Sequence, residues 1–415
     1  MPDVGFDNLL LVLAIAFCVP LGLGLLPKVR IPSVAVEILA GIVLGPAVLG
    51  WIDVDLPVSI LALLGLAVLL LLSGLEIDLR RLRGATGRRA AAGFVLTLAL
   101  GLAVGVGAGA AGLTRSPLLL AVLLSATSLG VVVAVLKDAG EAGSATGQLI
   151  LAGSSIADLG AIVLLSLLFS SEDTTAGTRA ILLGGFVLVV GVVALVVAGA
   201  ERSMRLSATL VRLQDTTAQI RVRGALVLLV AFASFAERFG LEAILGAFIA
   251  GMLLGALDGD PLRTHPQLGV KLEAIGFGFL IPVYFVTSGL RFDLDALTAG
   301  PGVVARVPLY LAALLVVRGV PALLYRGEIG TRRAVAAGLL QATSLPFLVA
   351  GSQIGQALGL LSAANAAALV AAGLVSVLVF PVLASRLLGP TVETETEEER
   401  SAEAPTAAGG GAASG

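Results

Sequence analysis

An all-α polytopic membrane protein is the fold this sequence predicts, and three observations predict it. Of 415 residues, 58% are hydrophobic and 13% charged, with a mean hydropathy of +1.05, more apolar surface than a soluble core of this length can hide. The apolar residues fall into about thirteen runs of near 20 residues, the length that crosses a hydrocarbon layer of roughly 30 Å as a helix. The basic residues gather between alternate runs, as the topology of a membrane protein requires.

The runs lie near 6–26, 32–50, 57–74, 90–112, 116–136, 147–169, 179–200, 222–238, 241–257, 272–290, 303–325, 333–356 and 361–388. They are long and rich in Leu and Ala, without the ~10-residue alternation of a membrane β-barrel, so each reads as a helix. The 52 glycines suit helices that pack closely in lipid. With the N-terminus placed outside, the loops on the cytoplasmic side carry 20 of the 26 Lys and Arg residues; five lie near outer ends and Arg318 lies inside a span. This asymmetry predicts a multi-pass protein of the cell (inner) membrane with a cytoplasmic C-terminus. No basic residue precedes the first run and no small-residue cleavage pattern follows it, so it reads as a retained helix. Cys18, the only cysteine, lies in that run and reads as packing. The membrane part spans 1–388; the acidic, then Gly/Ala-rich stretch 389–415 has nothing to pack and is expected to be a disordered cytoplasmic tail.

Three fragments recur in one order. Ala-Thr-Ser-Leu stands at Ala126–Leu129 and Ala342–Leu345, 216 residues apart (343 minus 127); "SGLEIDL" at Ser73–Leu79 and "SGLRFDL" at Ser288–Leu294 are 215 apart (288 minus 73); "VEILAG" from Val36 and "LEAILG" from Leu241 are 205 apart (241 minus 36). Three ordered matches imply a duplication, and the odd number of spans between mates turns one copy upside down. Two inverted five-helix repeats, about 32–169 and 241–388, are a signature of secondary transporters whose site lies near the bilayer midplane. The Ala-Thr-Ser-Leu copies sit mid-span and are followed by Gly130 and Pro346, which predicts that the fifth and twelfth spans are interrupted there and cross. Thr127, Ser128, Thr343 and Ser344 are then placed to satisfy freed backbone groups or to offer oxygen ligands.

Charge inside the spans narrows the chemistry. Asp158 lies mid-span in "LILAGSSIADLGAIVLLSLL", where an acid is costly enough that function is the default expectation. Ser154 and Ser155 stand one helical turn before it on the same face. A carboxylate among hydroxyls and exposed carbonyls can hold a small hard monovalent cation, and the same group can take a proton instead. Arg318 is the only basic residue well inside a span; it either neutralises this site or holds the crossing helix ends, and arginine does not give up its proton. Asp158 alone is left to carry cation and proton in turn, which favours electroneutral exchange. Glu37 and Glu242 are repeat mates near opposite ends of their spans and are candidate cation-attracting acids at two funnel mouths. Lys271 and Glu273 read as interfacial, and His265, without a second ligand nearby, as a loop residue.

Taken together, "VEILAGIVLGP", "LLLLSGLEIDL", the Thr127–Ser128 interruption, the helix around Asp158, "LGAFIAGMLLG", "IPVYFVTSGLRFDL" and the basic residue Arg318 resemble the monovalent cation:proton antiporter superfamily, in the branch of bacterial sodium/hydrogen exchangers and potassium-efflux membrane domains. The resemblance covers about 10–388. It implies a homodimer, a mobile core around the crossed helices, transport at the Asp158 carboxylate and a structural or coupling role for Arg318. Ala157 stands where relatives often carry Asp, Asn or Gln. The function expected is therefore exchange of Na+ or K+ for H+ by alternating access, without a cofactor and without nucleic acid as a partner. The alternative class is a sodium-coupled carrier for an organic anion, which needs more mid-span amides than Gln341, Gln353 and Asn365 provide. An intramembrane protease is disfavoured, since mid-span there is one Asp and no His.

Overall fold

The computed structural model describes residues 5–25, 32–77, 84–169, 216–258 and 267–388, with single positions between 177 and 195. Most of the seventh expected span, His265 and the stretch 389–415 lie outside the described residues. Every other expected span contains helix. In chain order these are α1 (Asp7–Gly24), α2 (Ser33–Leu44), α3 (Leu56–Leu75), α4 (Ala85–Ala110), α5 (Pro117–Ser125), α6 (Leu129–Asp138), α7 (Ala145–Leu168), α8 (Ile220–Arg238) and α9 (Ala243–Asp258). Then come α10 (Gln267–Ile275), α11 (Ile281–Leu290), α12 (Arg306–Leu314), α13 (Arg326–Gln341), α14 (Pro346–Ala357) and α15 (Ala363–Leu388).

Local chemistry sets the helix starts. Asp55 accepts the Val58 N–H at 3.0 Å to cap α3, Ser116 caps α5 through Leu119 N at 3.2 Å, and Ser144 caps α7 through Gly147 N at 3.0 Å, each satisfying a donor that a helix end leaves free. Proline stands in the first turn of α5 and of α14, where its missing N–H costs nothing. Eight helical runs among the described residues are long and apolar enough to span a membrane. Composition alone does not separate those facing lipid from those at the centre. Burial does: α7 and α15 are mostly buried, whereas few residues of α1 are.

Two reciprocal contacts join the halves. α3 packs most heavily on α9, and α2 on α11. At the first crossing, a side chain on Gly251 would strike the Leu71 carbonyl, and one on Gly74 the Phe248 carbonyl; at the second, Gly41 faces Val286 O and Gly289 faces Ile38 O in the same way. Backbone touches backbone at both, as small residues allow between membrane helices. Gly74 and Gly289 belong to the two "SGL" fragments, so the recurring sequence is the contact itself.

Both expected interruptions are present, with a shift of register. α5 ends at Ser125 and α6 starts at Leu129; α13 ends at Gln341 and α14 starts at Pro346. Gly130 and Pro346 therefore sit in the first turn of the resumed helices rather than in the breaks. The non-helical backbone is Ala126–Ser128 in the first copy and Thr343–Leu345 in the second, each holding the Thr-Ser pair, short polar residues whose side chains compete for the backbone groups a helix would use. The breaks meet through one main-chain bond, Ser128 N to Thr343 O at 2.8 Å. Two helices also contain π turns, Gly276–Leu280 between α10 and α11 and Leu315–Gly319 after α12, wide turns that recur at functional positions.

Candidate functional site

The site is built at the first break. Asp158, on the most buried face of α7, is 7% exposed and its Oδ1 accepts the Thr127 N–H at 3.1 Å. The chain entering the resumed helix thus aims a free backbone donor at an acid, and negative charge is favoured at a helix start. Ser154 and Ser155 are buried one turn away on α7, and Ser154 Oγ, Ser344 Oγ and Gln341 Nε2 have no hydrogen-bond partner among the described residues. Polar atoms left in this way at a native site are candidates for a bound water or ion.

Arg318 is 2% exposed and stands in the π turn after α12, which swings it toward the breaks. Its Nε and Nη2 donate to Thr127 Oγ1 at 2.9 and 2.6 Å, Nε also donates to Gln341 O at 3.2 Å, and Nη1 donates to Thr97 Oγ1 at 3.3 Å. Thr127 Oγ1 in turn donates to Gln341 O at 2.7 Å. The guanidinium therefore sits on the carbonyl end of α13, where positive charge complements the helix dipole, and reaches Asp158 through Thr127. None of its hydrogen bonds ends on the carboxylate.

The second break is held differently. Ser344 N donates to Ser376 Oγ at 3.2 Å, the Ser376 hydroxyl shares its proton between Gly373 O at 2.6 Å and Ser344 O at 3.2 Å, and Thr343 Oγ1 donates back to Leu339 O of α13 at 3.1 Å.

A cavity of about 1190 Å³ reaches Asp158, Thr127 and Ser128. It opens at the end of the bundle where α2 begins and α3, α6 and α15 finish, with Ser33, Glu76 and Arg386 in its wall. Glu76, the residue after α3, is exposed, yet it walls a recess whose protein atoms displace much of its water. That burial raises its carboxyl to about 7, with Lys137 opposing and Glu273 adding to the rise. Sequence reasoning passed over Glu76. The signal was the repeat itself, because "SGLEIDL" and "SGLRFDL" set Glu76 against Arg291, a sign change inside fragments that differ elsewhere only in Ile77 against Phe292.

Glu37 is 3% exposed and walls a separate side cavity. Glu242 is half-buried at the start of α9, its backbone N–H donating to Ser166 Oγ at 2.9 Å. Among the described residues no three His, Cys, Asp or Glu gather as a metal cluster.

With this geometry in place, the comparisons with known proteins are decisive. Residues 13–388 match the family model "Sodium/hydrogen exchanger, transmembrane". The chain belongs to the sodium/hydrogen exchanger family. It is a multi-pass membrane protein of a transporter family and not an enzyme. It is 30% identical over 402 residues to "Putative Na(+)/H(+) antiporter YjbQ" of Bacillus subtilis (strain 168), covering 93% of this chain and 64% of the relative. It therefore spans less than two thirds of that relative's length. It is 26% identical over 381 residues to "Probable Na(+)/H(+) antiporter 3" of Methanocaldococcus jannaschii, covering 91% of this chain and 95% of the relative. It is 25% identical over 268 residues to the "Na(+)/H(+)-K(+) antiporter GerN" of Bacillus cereus, covering 64% and 67%. Its fold is that of the sodium proton antiporter MjNhaP1 from Methanocaldococcus jannaschii, with a TM-score of 0.62 and 16% identity over 92% of this chain and 97% of that one.

Proposed function

We propose that this exchanger-family protein moves Na+ or K+ against H+ by alternating access, with the Asp158 carboxylate binding cation and proton in turn. The observation that carries the reading is a single acid, 7% exposed, at the inner limit of a cavity of about 1190 Å³ and bonded to the N–H of an interrupted helix. One carboxyl oxygen is engaged by the Thr127 N–H, and the remaining acceptor capacity serves a cation or a proton. A dehydrated monovalent cation takes oxygen ligands, which the carboxylate, Ser128, the Ser154 and Ser155 hydroxyls and the carbonyls of the break supply. Because cation and proton compete for one group, each displaces the other and no net charge crosses in a cycle. The basic-residue pattern of the sequence supports a cytoplasmic opening for the cavity, and the family resemblance supports a homodimer.

The test is cation-induced dissipation of an imposed pH gradient in proteoliposomes, with Na+, K+ and Li+ added separately. Wild-type protein collapses the gradient with at least one cation and leaves membrane potential unaffected, and Asp158→Asn is silent. A variant as active as wild type would remove Asp158 from the reaction. Silence of the wild type with every cation, together with uptake of a labelled organic anion driven by Na+, would replace exchange by the carrier alternative.

A further inference from the structure

The second cavity, about 340 Å³ in volume, lies between α1, the start of α2 and the π turn Gly276–Leu280. Glu37 is in its wall and is 3% exposed, and it has no hydrogen-bond or ion-pair partner among the described residues. Ser33, one turn before Glu37, lies in the same wall. The other sides are aromatic: Phe17 from α1, Phe277 and Phe279 from the π turn, and Phe285 from α11. Phe17, Phe277 and Phe279 are also exposed on the apolar perimeter, so the cavity is reached from the side, where the bilayer lies. An unpaired carboxyl so deep in apolar surroundings is costly to keep. A partner entering with a positive charge removes that cost.

We propose that this side cavity binds a lipophilic ammonium ion, with Glu37 holding the cationic head and the phenylalanines enclosing the apolar body. The chemistry matches on both counts. A carboxylate accepts ammonium N–H groups in a charge-assisted bond, and ring faces within about 6 Å of a cation attract it. A small inorganic cation finds one carboxyl and one hydroxyl here, too few oxygens to replace its water. The site also touches transport. Ser33, Val34, Phe277 and Phe285 are walls of this cavity and of the larger one that reaches Asp158. An occupant that fixes these shared walls slows exchange without occupying the Asp158 site.

The binding claim stands apart from the exchange reading, whereas the inhibition claim rests on it, so the experiment has two readouts. Purified wild-type protein in detergent is melted with hexylammonium and, as the apolar control, hexanol. Hexylammonium raises the melting temperature, hexanol does not, and Glu37→Gln abolishes the rise. Sodium-for-sodium counterflow is then run with equal pH on both faces, so that a weak base cannot act by collapsing a gradient. Hexylammonium lowers the maximal rate and leaves half-saturating sodium unchanged. For Glu37→Gln, the concentration that halves that variant's own rate rises about tenfold, the size of effect expected for one lost charge-assisted contact of about 1.4 kcal/mol. Phe279→Ala, at a residue outside the transport cavity, weakens inhibition in the same direction and serves if Glu37→Gln does not fold. Equal effects of hexanol and hexylammonium, equal sensitivity of the variants, or inhibition relieved by raising sodium would each overturn the proposal. No counterflow in wild type with sodium or, run in the same way, with potassium would sink the exchange reading alone, and the melting shift would still decide the site.

Discussion

The two breaks carry nearly the same sequence and are held by opposite chemistry. At Thr127 the freed N–H meets the carboxylate of Asp158, and the hydroxyl receives two bonds from Arg318. At Ser344 the freed N–H meets the neutral hydroxyl of Ser376, which returns a bond to Ser344 O. The duplicated scaffold needs only something to accept a stranded donor, and Ser376 shows that an uncharged group is enough. A carboxylate is therefore not needed to hold a break as such, and under the reading proposed above the acid of the first half is where charge is used. Only the charged break reaches the large cavity through both of its polar residues, Thr127 and Ser128.

The comparison can be broken most decisively at its acids and hydroxyls. Replacing Asp158 with Asn should bring cation-dependent proton flux to background, while Ser376→Ala should leave flux within a few-fold of wild type; comparable losses would mean both breaks are catalytic or neither is. The threonines should separate next. Thr127→Val strands the Nη2 donor of a buried guanidinium, while Nε keeps Gln341 O, and is expected to cost about 2–3 kcal/mol, seen as a clear fall in thermal midpoint. Thr343→Val loses one bond back to α13 and is expected to cost about 1 kcal/mol or less. A reversed order would show that the second crossing, not the first, is the keystone.

Arg318→Lys tests whether the arginine acts by geometry or by charge. Lysine keeps the charge but cannot fork between Thr127, Gln341 and Thr97, so stability should fall by about 1–2 kcal/mol while exchange persists. Full stability in the lysine variant would reduce Arg318 to a counter-charge. The smallest effect is expected at Glu76. With its carboxyl raised to about 7, it is charged and attracts cations above that pH and is neutral below it. Glu76→Gln should therefore raise half-saturating cation a few-fold at pH 8, and the two proteins should converge near pH 6. A gap that persists at pH 6 would show that charge at Glu76 is irrelevant.

Much of this was legible in the chain, and what was not has a common cause. Span positions followed from apolar length, because a bilayer imposes one length on every crossing. The breaks followed from the repeated tetrapeptide, and Asp158 from the cost of an acid at mid-span. The partners of Arg318 did not follow, because they depend on a π turn that tertiary packing imposes and no local pattern announces. Register within the breaks was legible to two or three residues only: a helix can resume at Pro346 as readily as end before it. Ser376 and Thr97 were invisible for the same reason. Each lies within an ordinary apolar helix, and only the packing of one helix on another brings it to the second break or to the arginine.

The glycine contacts between α2 and α11 and between α3 and α9 bear on how the molecule is made. The ribosome delivers α2 and α3 long before their partners exist, since Gly74 must wait for Gly251 and Gly41 for Gly289. The first half therefore enters the membrane with its most closely fitted faces bare, and the Thr127 segment waits for an arginine nearly two hundred residues away. Halves expressed as separate chains should find one another in the bilayer, because the surfaces that join them are complementary backbone rather than flexible side chains.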